Sequence, residues 1–253
     1  MTSIKRIFLA LVITVLSLAS VSCAKDDTLY YSNLTMGNIV DGKFISDQGN
    51  IFNIEEQECT GNLESLSRAM ILCDVLKKTE GSENEYDIRL IDFVSVLEKD
   101  ALTLETADAE EETSVTDPIL IEQLWYSGGY LNFFVKNFVK TDSQTKHLVN
   151  LVYHIDEDGK YIFELRHNAY GEIYGVDGTG SMTISGGYLS IPITNIIKED
   201  SAKLVLKWEW YRDDQYGYSY SNLKEYSFEY DWKRTGFEQT PKTLSLRSSA
   251  KLL

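Results

Sequence analysis

Proline, cysteine, histidine and positive charge are all scarce in this sequence. Its 253 residues include three prolines, three cysteines and three histidines, and 39 acidic residues outnumber 24 basic ones. The net charge of −15 repels phosphate backbones, which argues against nucleic acid as a partner. Because neither Cys59 nor Cys73 has a histidine nearby in the sequence, we predict no metal site, and no segment predicts a cofactor.

Tyrosine, by contrast, is abundant, with 16 residues, and most long segments alternate between apolar and polar side chains. A period of two is typical of β-strands, in which tyrosine is also favoured. No segment indicates a long helix. The predicted fold class is therefore all-β, with a small OB-like barrel followed by an antiparallel β-sandwich.

Residues 1–22 have the composition of a bacterial lipoprotein signal peptide. Lys5–Arg6 supplies the positive start, and Ile7–Leu18 is an apolar run that is too short to span a bilayer comfortably. Ala19–Cys23 resembles a lipobox, although a serine stands where leucine is more usual. We predict cleavage before Cys23 and lipidation of its thiol by acyl chains such as palmitate. The alternative is an ordinary secretory signal in which Cys23 is incidental.

Residues 23–33 are predicted to form a tether. Ala24–Asp27 resembles the acidic signal that sends Bacteroidetes lipoproteins to the cell surface, but a charge pair after a cleavage site is also compatible with a plain linker. Two or three acyl chains on one cysteine provide stable anchoring to a membrane. We therefore expect an outer membrane lipoprotein, with the cell surface and the periplasmic face both open as its location.

Lipidation of Cys23 leaves Cys59 and Cys73 as a pair in an oxidising compartment. A disulfide between them would close a loop and stabilise the fold by about 3 kcal/mol. The alternative is two unpaired thiols, one of them buried as a small apolar side chain. The sequence leaves both alternatives open.

The amino-terminal half contains five predicted strands within residues 34–102. They are Leu34–Val40, Lys43–Ser46, Ile51–Ile54, Arg68–Lys77 and Tyr86–Leu97. Five short strands in succession fit a small OB-like barrel. Residues 103–117 are acidic and lack aromatic side chains, which predicts a solvated linker between two domains rather than an acidic ligand patch.

The carboxy-terminal half, residues 118–232, is predicted to be the sandwich. Its strand candidates are Ile119–Trp125, Tyr130–Asn137, Lys146–His154, Lys160–Arg166, Ser181–Ile184, Tyr188–Ile193, Lys203–Tyr211 and Lys224–Trp232. Antiparallel strands at this spacing, joined by glycine-bearing turns, are typical of a β-sandwich. Residues 233–253 are predicted to be an irregular tail.

A cluster of aromatic residues forms the first candidate site. It contains Trp208, Trp210 and Tyr211 on a predicted strand, with Tyr216 and Tyr218 in the following loop beside carboxylates. Exposed rings of this kind suit sugars, whose C–H faces lie flat on π-systems. The competing interpretation is a sandwich core plus a tyrosine-rich hairpin that covers one edge of a sheet.

Arg166 and His167, at the end of a predicted strand, form the second candidate site. A histidine flanked by carboxylates, here Glu164 and Glu172, is a candidate general base. However, no serine or cysteine is placed to act as its nucleophile, and alternation puts Glu164 on the same face as Arg166, where an ion pair is sufficient explanation. We therefore predict no catalytic residue and keep Arg166 and His167 as ligand-binding candidates.

Four motifs resemble the NigD-like lipoproteins of Bacteroidetes. They are Asp117–Pro118, Gly128–Asn132, His147–Leu151 and Leu165–Tyr170, of which the last is the most specific. The resemblance implies an amino-terminal OB domain, a carboxy-terminal β-sandwich domain and a lipoprotein of the envelope, and the family name derives from a bacteriocin locus. It implies no catalytic residue, and it does not extend to Asp213–Ser221 or beyond Trp232.

Two functions are therefore expected. The first is a non-enzymatic, lipid-anchored envelope protein with a binding or accessory role, associated with a bacteriocin system. The second is a surface glycan-binding lipoprotein that uses Trp208, Trp210, Tyr216 and Tyr218. In both, the lipid anchor attaches the chain to a membrane, and the partner is an unidentified protein or glycan.

Overall fold

The computed structural model describes residues 32–176, 180–211 and 223–233, except for the side chains of residues 32 and 33. The predicted signal peptide, Cys23 and most of the tether lie outside the described residues. So do Tyr216, Tyr218 and the predicted tail after residue 233.

Thirteen strands account for most of the described chain. They are β1 (Ser32–Val40), β2 (Lys43–Ser46), β3 (Ile51–Gln57), β4 (Arg68–Lys78), β5 (Glu85–Glu98), β6 (Leu102–Thr103), β7 (Leu120–Ser127), β8 (Tyr130–Lys140), β9 (Leu148–Ile155), β10 (Tyr161–Asn168), β11 (Met182–Pro192), β12 (Ser201–Tyr211) and β13 (Leu223–Lys233). Two short helices, α1 (Leu104–Asp108) and α2 (Glu111–Ser114), lie between β6 and β7. Within the described ranges, no helix is long and apolar enough to cross a membrane. The prediction of an all-β chain is confirmed.

The first five strands form a closed barrel. In the order β3-β2-β1-β4-β5 all neighbours are antiparallel, and a parallel pairing of β3 with β5 closes the circle. Alternation along the strands directs Phe44, Ile71, Ile88 and Leu90 inward, and all four are fully buried. Asp41–Gly42 joins β1 to β2 with positive φ at both positions, as a type I′ hairpin turn requires. Five strands closed in this way are an OB-like barrel.

The remaining strands form a sandwich of two layers. One layer contains β7, β8 and β11, and the other has the order β13-β12-β10-β9-β6. Side chains from the two inner faces meet in one buried core, which includes Phe133, Leu151, Phe163, Leu189 and Leu206. The predicted sandwich is therefore present, but it is not wholly antiparallel, because β10 pairs with β12 in parallel. Between these two strands the chain crosses to the other layer as β11, so it returns in its original direction.

The barrel and the sandwich share one continuous sheet. Most of β5 pairs with β3 and β4 in the barrel, whereas Val96–Glu98 at its end pair in parallel with Tyr188–Ser190 of β11. The sheet therefore runs in the order β3-β2-β1-β4-β5-β11-β8-β7. An apolar cluster that includes Met36, Met70 and Trp125 fills the junction between the two parts.

The predicted strands Ser181–Ile184 and Tyr188–Ile193 are one strand, β11, which corrects the sequence interpretation. Glycines at positions 186 and 187 suggest a turn, but both lie inside the strand. Gly186 lies beneath the ring of Phe134 on β8, where an added Cβ would come within 2.9 Å of the ring's Cζ atom. Close packing, and not a turn, explains this glycine.

Residues 103–117 are folded against the sandwich, which corrects the prediction of a solvated linker. Thr103 pairs with Tyr153 of β9, and Ala107 in α1 is fully buried. Thr113 Oγ1 donates a hydrogen bond to the carbonyl of Ala107 at 2.6 Å and so holds the two helices together. The acidic side chains of the helices are exposed. Composition alone therefore indicated the solvated face and missed the buried one.

Cys59 and Cys73 are not joined by a disulfide in the structure. Cys73 is fully buried in the barrel core, where burial, and then the charge of Asp74, raise the pKa of its thiol to about 12. Cys59 follows β3 and packs against the edge of the same core. Of the two alternatives, the structure therefore has separate thiols, with Cys73 packed as a small apolar side chain.

A completely buried arginine joins the barrel to the sandwich. Arg68, the first residue of β4, forms a two-point ion pair with Asp47, with Nη1–Oδ1 at 2.8 Å and Nη2–Oδ2 at 2.7 Å. Its Nε donates to Ser190 Oγ at 2.9 Å, and Nη2 also donates to Asn132 Oδ1 at 3.2 Å. Because Ser190 and Asn132 lie on β11 and β8, one side chain contacts both parts of the protein.

The partners of Arg68 are themselves held in place. Ser127, at the end of β7, donates through Oγ to Asp47 Oδ2 at 2.5 Å, and Asn132 Nδ2 donates to Ser127 Oγ at 3.1 Å. The guanidinium lies 3.9 Å from the centroid of the Tyr130 ring. Replacing either Arg68 or Asp47 alone would leave the other charge buried without a partner, and an unpaired buried charge strongly destabilises a fold.

We predict that Arg68→Met lowers the free energy of unfolding by about 3–5 kcal/mol, because Asp47 keeps a buried charge without its cation. The matched control is Arg89→Met, since Arg89 pairs with Glu56 at 2.6 Å on the exposed barrel surface. That change should cost less than about 1 kcal/mol. Urea unfolding curves measure both variants, and equal losses would contradict the assignment of Arg68 as the central contact.

Candidate functional site

Arg166, near the end of β10, is fully engaged by two carboxylates. Its Nε donates to Glu164 Oε2 at 2.5 Å and its Nη1 to Asp108 Oδ1 at 2.7 Å, and its side chain is only 8% exposed. The predicted Glu164–Arg166 ion pair is therefore present. Asp108 lies at the end of α1, so Arg166 fixes the helical segment to the sheet and presents no open cationic surface to a ligand.

Asn168 fixes the neighbouring turn. Its Nδ2 donates to the carbonyl of Glu112 in α2 at 3.1 Å, and its Oδ1 accepts from the backbone N–H of Tyr170 at 2.9 Å. Tyr170 adopts a positive φ of 50°, which this side-chain turn stabilises. The Leu165–Tyr170 motif is thus explained by the way β10 ends and α2 is held.

His167 points to the opposite face of β10 from Arg166 and is only 1% exposed. Its Nδ1 donates to the carbonyl of Pro118 at 3.0 Å, which assigns the tautomer, because a carbonyl can only accept. Burial, and then the charge of His147, lower the pKa of His167 to about 3. His167 is therefore a neutral, buried imidazole at neutral pH.

His147, just before β9, completes a closed cluster with His167. Its Nδ1 lies 3.0 Å from His167 Nε2 and 2.7 Å from the side-chain amide of Asn137, and its Nε2 lies 3.3 Å from Glu172 Oε2. Asp117 closes the cluster at the other end, where its Oδ2 accepts from a backbone N–H at 2.7 Å. Burial is the main cause that raises the pKa of Asp117.

This cluster does not have the accessibility that catalysis or ligand binding requires. His147 is fully buried, and Glu172 is 5% exposed. No group of three or more histidine, cysteine, aspartate or glutamate side chains in the described part of the chain is arranged to hold a metal ion. His167 therefore contributes to the sandwich interior, and the structure does not support it as a ligand-binding residue.

The lowered pKa of His167 predicts that acid destabilises the fold. Between pH 6.5 and 3 the unfolded chain binds a proton at this position that the folded chain excludes, so stability falls as pH falls, by about 1.4 kcal/mol per pH unit. The free energy of unfolding, measured with urea between pH 6.5 and 4.5, should change less steeply with pH for His167→Gln than for the unmodified protein. His154→Gln, at an exposed position on β9, should keep the original slope. The same slope in all three proteins would contradict the prediction.

Trp210 and Tyr211 are core residues, which corrects their prediction as an exposed sugar platform. They are 5% and 1% exposed, and Trp210 stacks on Phe138 with ring centroids 5.8 Å apart. Tyr211 donates through its hydroxyl to the carbonyl of Tyr174 at 2.9 Å. Both rings are closed to a ligand. Tyr216 and Tyr218 lie outside the described residues.

Trp208 differs from these rings because it lines an open groove. The groove, with a volume of about 250 Å³, lies where β7, the last strand of one sheet, meets β12 and β13, the last strands of the other. Its walls are mainly apolar, and its lining residues are Ile121, Glu122, Gln123, Leu124, Trp125, Tyr126, Leu131, Leu206, Trp208, Phe228 and Tyr230.

Aromatic rings form one wall of this groove. Phe228 is 47% exposed, and Tyr230 lies beside it with ring centroids 6.3 Å apart and planes 22° apart. Trp208 stacks on Tyr226 at 5.6 Å, and its buried indole N–H finds no acceptor among the described residues. The wall therefore offers a flat apolar surface.

Phe228 and Tyr230 are not among the predicted site residues, although the sequence of β13 contains a signal for them. Every second residue of β13 from Tyr226 to Trp232 is aromatic, whereas Glu225, Glu229 and Asp231 alternate with them and are exposed. A strand with one aromatic face and one acidic face at a sheet edge indicates that the aromatic face covers an adjoining surface.

The barrel surface that binds ligands in OB folds is polar in this chain. On β3, Asn53 Nδ2 donates to Glu85 Oε1 and to Asp87 Oδ1, both at 3.1 Å. Lys43 and Lys77 pair with the same two carboxylates at 2.7 and 3.1 Å. These side chains engage one another and present no stacking ring.

Taken together, the fold and the two sites define an all-β protein in which an OB-like barrel is joined to a β-sandwich with a closed polar interior and an open aromatic groove. Residues 102–228 match the sequence model of the NigD-like C-terminal beta sandwich domain, which is just over half of the 253 residues. The chain therefore belongs to the NigD-like family, and the resemblance seen in its motifs is confirmed.

Solved structures share this architecture. A protein of unknown function from Bacteroides vulgatus aligns with 88% of this chain and 100% of its own, at 20% identity and a TM-score of 0.56. A NigD-like immunity protein from Bacteroides caccae aligns with 80% of this chain and 97% of its own, at 15% identity and a TM-score of 0.53. A candidate lipoprotein from Bacteroides fragilis aligns with 81% of this chain and 100% of its own, at 16% identity and a TM-score of 0.54. At these identities the likeness shows the fold alone, and no curated protein matches the chain.

Proposed function

We propose that this protein is a lipid-anchored, non-enzymatic member of the bacterial envelope that acts by binding a partner through the aromatic groove. The proposal is based on the difference in accessibility between its two candidate sites. The titratable residues His147, His167 and Glu172 are buried together, whereas the groove beside Phe228 is open and mainly apolar. Catalysis needs accessible titratable groups, and binding needs accessible apolar surface.

The anchoring part of the proposal is supported by the amino-terminal sequence. A positive start, a short apolar run and small residues before Cys23 have the arrangement of a lipoprotein signal. The similarity in fold to a candidate lipoprotein from Bacteroides fragilis agrees with this arrangement. Lipidation of Cys23 would hold the barrel close to the outer membrane, facing the cell surface or the periplasm.

We predict that growth with radioactive palmitate labels this protein in its native host and that Cys23→Ala abolishes the label, because no other acceptor thiol is exposed by signal-peptide cleavage. Cys59→Ala is the matched control and should be labelled normally. Equal labelling of the Cys23→Ala variant would refute the anchor.

The partner is proposed to be a protein of a bacteriocin-linked system. Support comes from membership in the NigD-like family and from the similarity in fold to a protein named as a NigD-like immunity protein. The apolar wall of the groove also suits a protein surface, since aromatic side chains are enriched where protein partners meet.

A photo-crosslinking side chain placed at position 122 should capture this partner in cells, because Glu122 lines the groove and is half-exposed. The cross-link should disappear when Phe228→Ala removes the exposed ring. Ile155→Ala, at a position 54% exposed on β9, is the control and should leave it intact. The same cross-linked products with and without Phe228 would contradict the groove as the binding surface.

Glycan binding is the second candidate function, and the near-parallel rings of Phe228 and Tyr230 favour it. Sugar C–H faces stack on such rings. A glycan array probed with the mature protein separates the two candidates. Binding that is lost in Phe228→Ala and kept in Ile155→Ala supports the sugar ligand, and no binding across polysaccharides removes it.

A further inference from the structure

The contact between His147 and His167 raises a question of proton count. His147 Nδ1 and His167 Nε2 lie 3.0 Å apart in the sandwich interior. Two ring nitrogens at this distance need a proton between them, because two bare nitrogens would direct lone pairs at each other. Both rings are fully buried or nearly so, and the interior strengthens such a repulsion.

The other nitrogen of each ring is also assigned by its partner. His167 Nδ1 faces the carbonyl of Pro118 at 3.0 Å and must carry a proton, because the carbonyl can only accept. His147 Nε2 faces Glu172 Oε2 at 3.3 Å, and this carboxylate oxygen already accepts the backbone N–H of Lys140 at 2.9 Å. An ionised Glu172 therefore accepts a second hydrogen bond, from His147 Nε2–H.

The two rings then hold three protons where two neutral imidazoles would hold two. We propose that His147 and His167 share one excess proton, so that a buried imidazolium paired with the carboxylate of Glu172 is a built-in, pH-sensitive element of the fold.

The amide of Asn137 is compatible with an excess proton on His147. Because His167 Nδ1 already carries a proton and His167 is neutral, the shared proton belongs to His147 Nδ1, which donates it to His167 Nε2. The amide of Asn137, 2.7 Å from His147 Nδ1, then presents its oxygen to this ring, since amide nitrogen and oxygen are interchangeable in such assignments.

Charges around the pair favour a cation at His147. The carboxylates of Glu172 and Asp117 both interact electrostatically with this ring. Burial opposes ionisation of Glu172, but hydrogen bonds from Ser143, from the Lys140 backbone and from His147 lower its pKa below the usual value. The guanidinium of Arg166 belongs to the other face of β10, where Glu164 and Asp108 neutralise it.

Folding is then linked to proton uptake. Above pH 6.5 the two histidines of an unfolded chain are neutral and hold no excess proton, whereas the folded pair keeps one, so stability decreases as pH rises. Below pH 6.5 both histidines of the unfolded chain bind an excess proton and the folded pair still keeps only one, so stability decreases as pH falls. The cluster therefore contributes most to stability near the unperturbed pKa of histidine.

Nitrogen-15 NMR of the purified chain labelled at histidine tests the count directly. The sequence has three histidines, and exposed His154 provides the internal reference for a solvated ring. At pH 8 we expect three protonated nitrogens in total for His147 and His167. One protonated and one bare nitrogen on each buried ring would overturn the proposal.

Stability measurements give a second, independent readout. The unfolding equilibrium constant should rise by up to tenfold per pH unit above pH 6.5 for the unmodified chain. Glu172→Gln removes the counter-charge and should return both rings to the neutral, two-proton count at pH 8. Glu164→Gln is the control and should leave the count at three. If Glu172→Gln does not fold, the NMR count of the unmodified chain still decides, and a count of two rejects the shared proton.

Discussion

The buried ion pair between Arg68 and Asp47 is the contact on which the arrangement of the whole molecule depends. It ties the turn after β2 to β4 within the barrel, and through Ser127 it reaches the end of β7 in the sandwich. Tyr126, the neighbour of Ser127, lines the aromatic groove. The position of one groove wall is therefore set by a charge pair at the junction with the barrel, because a fully buried pair has few alternative geometries.

The polar and the aromatic candidate sites follow opposite physical rules. Buried histidines and carboxylates are stable only when each hydrogen-bonding atom has a partner, and this requirement closes the cluster around His147 to solvent. An aromatic wall at a sheet edge stays open at modest cost because its rings carry few hydrogen-bonding atoms. The residues with the richest chemistry, such as His167, therefore contribute to the interior, and the chemically simple Phe228 provides the accessible surface.

Local patterns predicted the fold well and the site poorly. Strand alternation and turn residues located nearly all strands, and the Asp41–Gly42 hairpin is as expected, because these features depend on neighbours in sequence. Gly186, the parallel pairing of β10 with β12 and the packing of residues 103–117 depend on distant contacts, which no local pattern contains. For the same reason the sequence could not distinguish buried Trp210 from groove-lining Trp208, although both lie on one face of β12.

The membership of β5 in both parts has a consequence for how this architecture is inherited. Val96–Glu98 and Tyr188–Ser190 pair in one register, although β5 belongs mainly to the barrel and β11 belongs to the sandwich. A genetic exchange that replaced either part alone would have to reproduce that register and the packing beneath it. Barrel and sandwich are therefore expected to diverge together, as a single evolutionary unit and not as interchangeable modules.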